Sequence, residues 1–436
     1  MYNKGLNRLV EFFSNSGSRR LDWISSGLIP SSQLDQTSFA PASTMAALLD
    51  LDELVEEILL RLPPEDPASL VRAALVCHRW RHLISGRGFH RRFRELHRTP
   101  PLLGFVGTRD GTNRLLAPPC FIPTSSFSPP RRSGELGGWV AIHSCHGRVL
   151  LYKPPRLHTD PRKNLLVWDL IKGEQRELPK LSWFPMPTFG WNAAVVCSSS
   201  AGTGCDDHFH CRRVSFLVIF VASLYNQTVT TIYSSDADAW SEPACAQERF
   251  RLQFFKATRA IAGNALYFNN SPSTELLKYD LTTRDVSAIH LPCQTLYKDI
   301  VLMAMEDSRL GFVTLYGSML HMWSTEVGRP NSRDVRWEQS RVIELDTLLP
   351  ADALSRETCL LAGCADGGEV ILLWGSAGFL FIDLKSWRIK QGEGGRFCNF
   401  AVPVTSFCTP VVGTKKYKCT KKWKALMLLE CFAVYI

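Results

Sequence analysis

Three segments lying far apart in the chain end in the same way. Leu166-Val167-Trp168-Asp169-Leu170, Leu277-Lys278-Tyr279-Asp280-Leu281 and Leu380-Phe381-Ile382-Asp383-Leu384 each carry an apolar, strand-like run into Asp-Leu. An aspartate opens turns readily because its carboxylate accepts from nearby backbone amides. More degenerate copies occur at Thr231-Ile232-Tyr233 and His321-Met322-Trp323. The copies recur at irregular steps of roughly 45 to 65 residues, the range of a β-propeller blade with loop insertions. Other short β-type runs stand around them between Gly, Asn, Asp and Pro: Trp139–Ile142, Arg148–Tyr152, Val214–Leu224, Ala265–Asn269, Leu310–Tyr316 and Glu369–Trp374. Many short strands with turn chemistry between them predict an all-β domain, read as a propeller of six to eight blades.

Before residue 100 the period is different. Leu51, Leu54, Val55, Ile58, Leu59 and Leu62 recur at three- and four-residue steps and share one stripe of a helix. Asp52, Glu53, Glu56 and Glu57 sit in its first turns, where acidic groups face the positive end of the macrodipole, and Pro63-Pro64 ends it. A second helical segment carries Leu70, Val71, Ala74 and Leu75. A third carries Val76, Trp80, Leu83 and Ile84 and stops at Ser85-Gly86, and a short fourth aligns Phe89, Phe93 and Leu96. Helical pattern is lost at Thr99-Pro100-Pro101. The expected organisation is therefore a flexible leader over 1–44, a helical module over 45–98, a β-propeller-like domain over 99–413, and a tail over 414–436 of crowded lysines followed by an apolar end. The tail is expected to be dispensable, with a closing strand for the first blade as the rival reading.

The Leu-x-x-Leu-Val-x-x-Ile-Leu-x-x-Leu-Pro stripe (Leu51, Leu54, Val55, Ile58, Leu59, Leu62, Pro63), then Leu70 and Val71, then Leu75-Val76-Cys77 with Arg79-Trp80, resembles the F-box. That module docks target receptors onto the Skp-type adaptor of cullin-RING ubiquitin ligases. The resemblance implies adaptor binding by Leu51, Leu54, Val55, Ile58, Leu59, Leu62, Pro63, Leu70, Val71, Leu75, Val76 and Trp80. This chain has Leu51-Asp52 where the family usually opens with Leu-Pro. A module of about 45 residues cannot close all its apolar stripes on itself, which also favours a partner protein. The His97–Phe105 junction and the segment from Pro403 to Pro410 are similar to those of plant F-box proteins with a propeller-like C-terminal domain. That similarity implies target binding by loops at one propeller face, in the cytoplasm or nucleus.

Intrinsic chemistry finds little support. Cys205, His208, His210 and Cys211 are ligand types close together, but their spacing matches no standard zinc site and Gly202 and Gly204 mark a loop. His143, Cys145 and His146 alternate faces where a strand enters a turn. No nucleophile elbow or phosphate loop occurs, and Gly392-Glu393-Gly394-Gly395 reads as a turn. The expectation is a non-catalytic adaptor without metal or cofactor, and the rival is a propeller-fold enzyme or carbohydrate-binding protein. The formal charge of +9 is concentrated in the arginines of residues 79–98 and the lysines of 415–424. Such runs read as a solvated face and a tail rather than a nucleic-acid groove. Fourteen unpaired-looking cysteines suit a reducing compartment. The runs Val214–Tyr225 and Ala425–Ile436 fall short of the roughly 20 residues of a membrane span.

Overall fold

The computed structural model describes residues 52–109, 118–129, 136–154, 164–181, 190–198, 215–224, 227–246, 250, 259–269, 275–292, 300–305, 308–325, 335–348, 360–365, 370–375, 378–384, 386–391 and 397–408. They fall into two compact units, with described residues 52–98 in the first and Thr99–Cys408 forming the second.

The first unit has four helices: α1 (Asp52–Leu60), α2 (Pro67–Val76), α3 (His78–Ser85) and α4 (Arg87–His97). Pro63 and Pro64 stop α1, whose last amides tighten into Arg61 N–H to Ile58 O (3.1 Å) and Leu62 N–H to Leu59 O (3.3 Å). Pro67 occupies the first turn of α2, where a missing amide is harmless. Cys77 is extended between α2 and α3, and its Sγ accepts the Trp80 amide at 3.5 Å. Val76 therefore closes α2 rather than opening the third helix. α1 packs on α3 and α4, α2 packs on α3, and α3 packs on α4. Val55, Leu59, Leu62, Leu70, Val76, Trp80, Ile84, Phe89 and Phe93 are buried.

The second unit is a six-bladed propeller. Blade 1 holds β1 (Leu102–Arg109) and β2 (Pro119–Pro123) and blade 2 holds β3 (Val140–Cys145), β4 (Arg148–Lys153), β5 (Asn164–Asp169) and β6 (Glu174–Glu177). Blade 3 holds β7 (Gly190–Cys197), β8 (Phe216–Leu224), β9 (Gln227–Ser234), β10 (Ala239–Trp240) and β11 (Ala244–Ala246). Blade 4 holds β12 (Arg259–Ala262), β13 (Ala265–Asn269), β14 (Glu275–Asp280) and β15 (Val286–His290). Blade 5 holds β16 (Ile300–Ala304), β17 (Leu310–Tyr316), β18 (Met319–Thr325) and β19 (Trp337–Glu344). Blade 6 holds β20 (Leu360–Cys364), β21 (Val370–Gly375), β22 (Gly378–Asp383) and β23 (Arg388–Gln391). The inner strand of blade 1 is β24 (Phe397–Thr405), which pairs antiparallel with β1 from Leu102↔Thr405 to Arg109↔Phe397.

Each seam between neighbouring blades has its own apolar cluster, and the six clusters run round the whole ring. Val106, Trp139 and Val404 lie between blades 1 and 2, Leu150, Trp191 and Phe220 between 2 and 3, and Val196, Phe268 and Tyr279 between 3 and 4. Ala260, Phe312 and Trp323 follow between 4 and 5, Val313, Ile371 and Ile382 between 5 and 6, and Phe105, Leu372 and Ala401 between 6 and 1. The strand that closes the first blade is thus Phe397–Thr405, upstream of the segment weighed for that role from sequence. Residues 409–436 lie outside the described residues, as do 1–51.

The Asp-Leu repeat is the third strand of a blade meeting its turn. Asp169 Oδ1 accepts from Ile171 and Lys172 N–H at 3.1 and 3.0 Å, Asp280 Oδ1 from Thr282 and Thr283 N–H at 2.9 and 3.0 Å, and Asp383 Oδ1 from Ser386 N–H at 2.9 Å. In blade 3 Ser234 takes the aspartate's place, its Oγ accepting from Ala237 N–H at 3.4 Å. The residue four places after each acceptor is left-handed: Gly173 (φ 74°), Asp238 (φ 51°), Arg284 (φ 65°) and Trp387 (φ 54°). Two of the degenerate copies, at 231–233 and 321–323, also fall on third strands, β9 and β18.

Candidate functional site

The helical module separates its apolar residues into an inside and an outside. On α1, Val55 and Leu59 face the interior with Leu62 beyond the helix, while Leu54 and Ile58, one position earlier in each turn, are only half-buried. On α2, Leu70, Ala73, Ala74 and Val76 are buried, whereas Val71 and Leu75 stand 43% and 51% exposed, four residues apart on one face. Pro63 is half-buried. Of the twelve residues singled out from sequence, Val55, Leu59, Leu62, Leu70, Val76 and Trp80 thus build the module's core. Leu54, Ile58, Pro63, Val71 and Leu75 keep exposed or half-exposed surface, and Leu51 lies outside the described residues.

Polar contacts missed from sequence fix the helices. Arg79 on α3 donates to Asp52 at the start of α1. Arg92 on α4 reaches Glu56 at 3.2 Å and also donates to Glu57. The His97 Nε2 lies 2.8 Å from Leu60 O, at the open C-terminal end of α1. The acidic residues read as dipole partners therefore also bind two arginines of the basic run. A signal for this was available, since α1 is acidic where α3 and α4 are basic. Phe89 and Phe93 stack at 5.8 Å beneath that layer.

In the propeller, one titratable cluster crosses the inner strands of three blades. Arg259 at the start of β12 donates to Asn192 Oδ1 on β7 and to the Ile142 carbonyl on β3. Burial pushes its guanidinium down to about 9. Neighbouring His143 is pushed down to about 3, by burial first and by the Arg259 charge second. The imidazole is thus neutral at physiological pH, and the cluster serves to tie blades 2, 3 and 4 together. Cys145 is half-buried and His146 is left-handed with φ 49°. Among the described residues no group of His, Cys, Asp or Glu is placed to hold a metal ion. The Cys205, His208, His210 and Cys211 cluster and the Gly392–Gly395 turn lie outside them. No helix among the described residues is long and apolar enough to cross a membrane.

The comparisons with known proteins agree with this division. Residues 48–92 match the F-box domain. Residues 202–391 match a family described as F-box protein AT5G49610-like, beta-propeller. No curated protein sequence matches the chain. Among solved structures, TolB from Acinetobacter baumannii is similar at 11% identity and TM-score 0.38, covering 72% of this chain and 69% of its own. A chain of the nidogen/laminin complex is similar at 8% identity and TM-score 0.39, covering 70% and 98%. The β-propeller domain of Cps50 (Swd1) from Myceliophteria thermophila is similar at 12% identity and TM-score 0.38, covering 68% and 89%.

Proposed function

We infer that the protein is a substrate-recognition adaptor of a cullin-RING ubiquitin ligase. Its F-box helices dock on a Skp-type adaptor, and its propeller holds a target protein. The observation that carries this reading is the pair Val71 and Leu75, exposed on a small module whose own core is already complete. Large apolar side chains left outside a finished core favour a partner that covers them, and helices present such anchors at a spacing of four. The half-buried Leu54 and Ile58 on α1 keep further apolar surface. The chain's contribution is proximity: it concentrates a target lysine near a ubiquitin thioester formed elsewhere, so it supplies binding surfaces and no catalytic group.

Co-expression of the full chain with a Skp-type adaptor and a cullin, followed by gel filtration, tests the reading. A single complex is expected, and separate elution of the chain overturns it. The double variant Val71→Glu with Leu75→Glu changes exposed positions, so helix content stays and adaptor affinity falls by tenfold or more, on the order of an interface hot spot. Trp80→Ala instead removes a core anchor at a cost of about 3–5 kcal/mol, so helicity and binding disappear together. Adaptor affinity unchanged in the double variant would move the docking surface elsewhere.

A further inference from the structure

We propose that the outer groove between blades 5 and 6 is a docking site for an extended acidic segment of a target protein, anchored by an apolar side chain on Trp387. This inference rests on the adaptor reading above and names the surface by which the propeller takes its target. Trp387 occupies the left-handed position of the repeated turn, where blade 2 has Gly173 and blades 3 and 4 have the polar Asp238 and Arg284. A bulky aromatic is poorly suited to that backbone, and such outliers concentrate at binding sites. The Trp387 side chain is 48% exposed, and its indole N–H donates to no group among the described residues.

Two other rim tryptophans show the contrast. Trp240 on β10 donates its indole N–H to Pro179 O at 2.7 Å across the seam of blades 2 and 3. Trp337 on β19 donates to His290 O at 2.8 Å across the seam of blades 4 and 5. Both are tied to the neighbouring blade by that hydrogen bond, whereas Trp387 faces Arg341 of blade 5, whose guanidinium carbon lies 5.7 Å from the ring centroid.

Between them is a groove of about 440 Å³ lined by Arg341, Ile343, Glu344, Thr347, Leu348 and Trp387. Its floor is the outer end of the apolar cluster between the two blades, where Ile343 is buried and Leu348 partly so. One wall is β19, the outermost strand of its blade, with no further strand on its free edge among the described residues. β19 runs eight residues, against four in β6, five in β15 and four in β23. Long open edges are rare in stable sheets because they invite strand addition. Main-chain pairing along such an edge, with a pocket for one side chain, is an established way of holding an extended peptide. Arg341 lines the groove and Arg388 follows Trp387 in the chain, both exposed and neither in an ion pair among the described residues; against the one carboxylate of the lining, Glu344, the two guanidiniums leave a positive balance that favours carboxylates beside the apolar anchor.

The test uses the full chain and a phage-displayed library of random twelve-residue peptides. Enriched sequences are resynthesised with a fluorescein label and their Kd values read by anisotropy. Enriched peptides are expected to place Asp or Glu within two residues of a Leu, Phe or Trp. Trp387→Gly is expected to weaken them at least tenfold while leaving the melting temperature unchanged or higher, because glycine relieves the turn. Arg341→Ala with Arg388→Ala is expected to weaken them and flatten the salt dependence. The proposal is overturned if nothing is enriched, if the enriched peptides lack carboxylates, if they bind Trp387→Gly as well as wild type, or if Trp387→Gly lowers the melting temperature by several degrees and so marks a packing residue. Concentration-dependent self-association lost in Trp387→Gly would overturn it in favour of a second copy of the chain. Adaptor binding is scored separately by gel filtration, so its failure is distinguishable from failure at this groove.

Discussion

Gly363 sits on the inner strand β20 where blade 6 meets blade 1, and a Cβ built there would lie 2.8 Å from Ala401 O on the closing strand β24. That is about 0.6 Å short of the 3.4 Å at which ordinary contact begins, and the atom in the way is backbone rather than a flexible side chain. Gly363→Ala therefore has to push β24 outward or bend β20. The packing that resists is tight: Ala362 and Ala401 are buried together with Phe105, Leu372 and Phe379 in the same seam. Overpacking of this kind costs about 1–3 kcal/mol. At about 2.1 cal/mol/K of unfolding entropy per residue, each kcal/mol lowers the melting temperature of the Thr99–Cys408 unit by about 1.5 °C, so a loss of about 1.5–5 °C is expected. Thermal unfolding followed by the near-ultraviolet signal of the tryptophans measures it, and amide exchange along Ala401–Val404 should accelerate. Gly88→Ala is the control, because its Cβ meets nothing within 4 Å and lies in α4. A variant that melts within a degree of wild type with unchanged exchange in β24 would refute the claim that this seam is held at backbone contact.

Two further outcomes follow from the same ring. A chain ended at Gly413 retains β24 and every strand pairing described, so its propeller should melt with the full chain, whereas a chain ended at Gly395 lacks β24 and should be insoluble; equal solubility of the two would overturn the closure. His143 is held neutral down to about pH 3 in the folded state while the unfolded chain takes up a proton near 6.5, so stability is undiminished above pH 6.5 and falls as pH drops from 6.5 toward 3. The slope is at most about 1.4 kcal/mol per pH unit, and His143→Gln should flatten it in denaturant titrations at pH 7, 6, 5 and 4.

What the sequence revealed and concealed has a physical explanation. Third strands such as β5, β14 and β22 were legible because they join a fold-specific apolar run to an aspartate whose carboxylate is needed by the turn. Inner strands other than β3, partly covered by the run Trp139–Ile142, were not. β7 is buried along nearly its whole length, so Trp191-Asn192-Ala193-Ala194-Val195-Val196-Cys197 has no alternation to read, and β20 follows two leucines with Ala362-Gly363-Cys364, small residues that let blades approach. β24 was obscured by Pro403 in its interior. Outer strands such as β6, Glu174–Glu177, and β23, Arg388–Gln391, are short and polar and resemble loops. In the helical module the stripe identified α1 and its end at Pro63, but the stripe could not say which of Leu54 and Val55, or Ile58 and Leu59, points inward. That choice is made by packing against α3 and α4, which no local period encodes. The contrast at 387 needed the turns of all blades side by side, since one tryptophan in one turn carries no signal alone.

The pairing of Leu102 with Thr405 joins the first strand of the propeller to the last. During synthesis, β1 emerges early and keeps one edge open until about 300 further residues have been made. At 5–20 residues per second that interval is about 15 to 60 s. The helices of residues 52–97 make their contacts within a short stretch of chain and can fold long before. A nascent chain thus passes through a stage with its helical module complete and its ring still open. The order in which the two units are completed is thus set by the position of β24 in the chain.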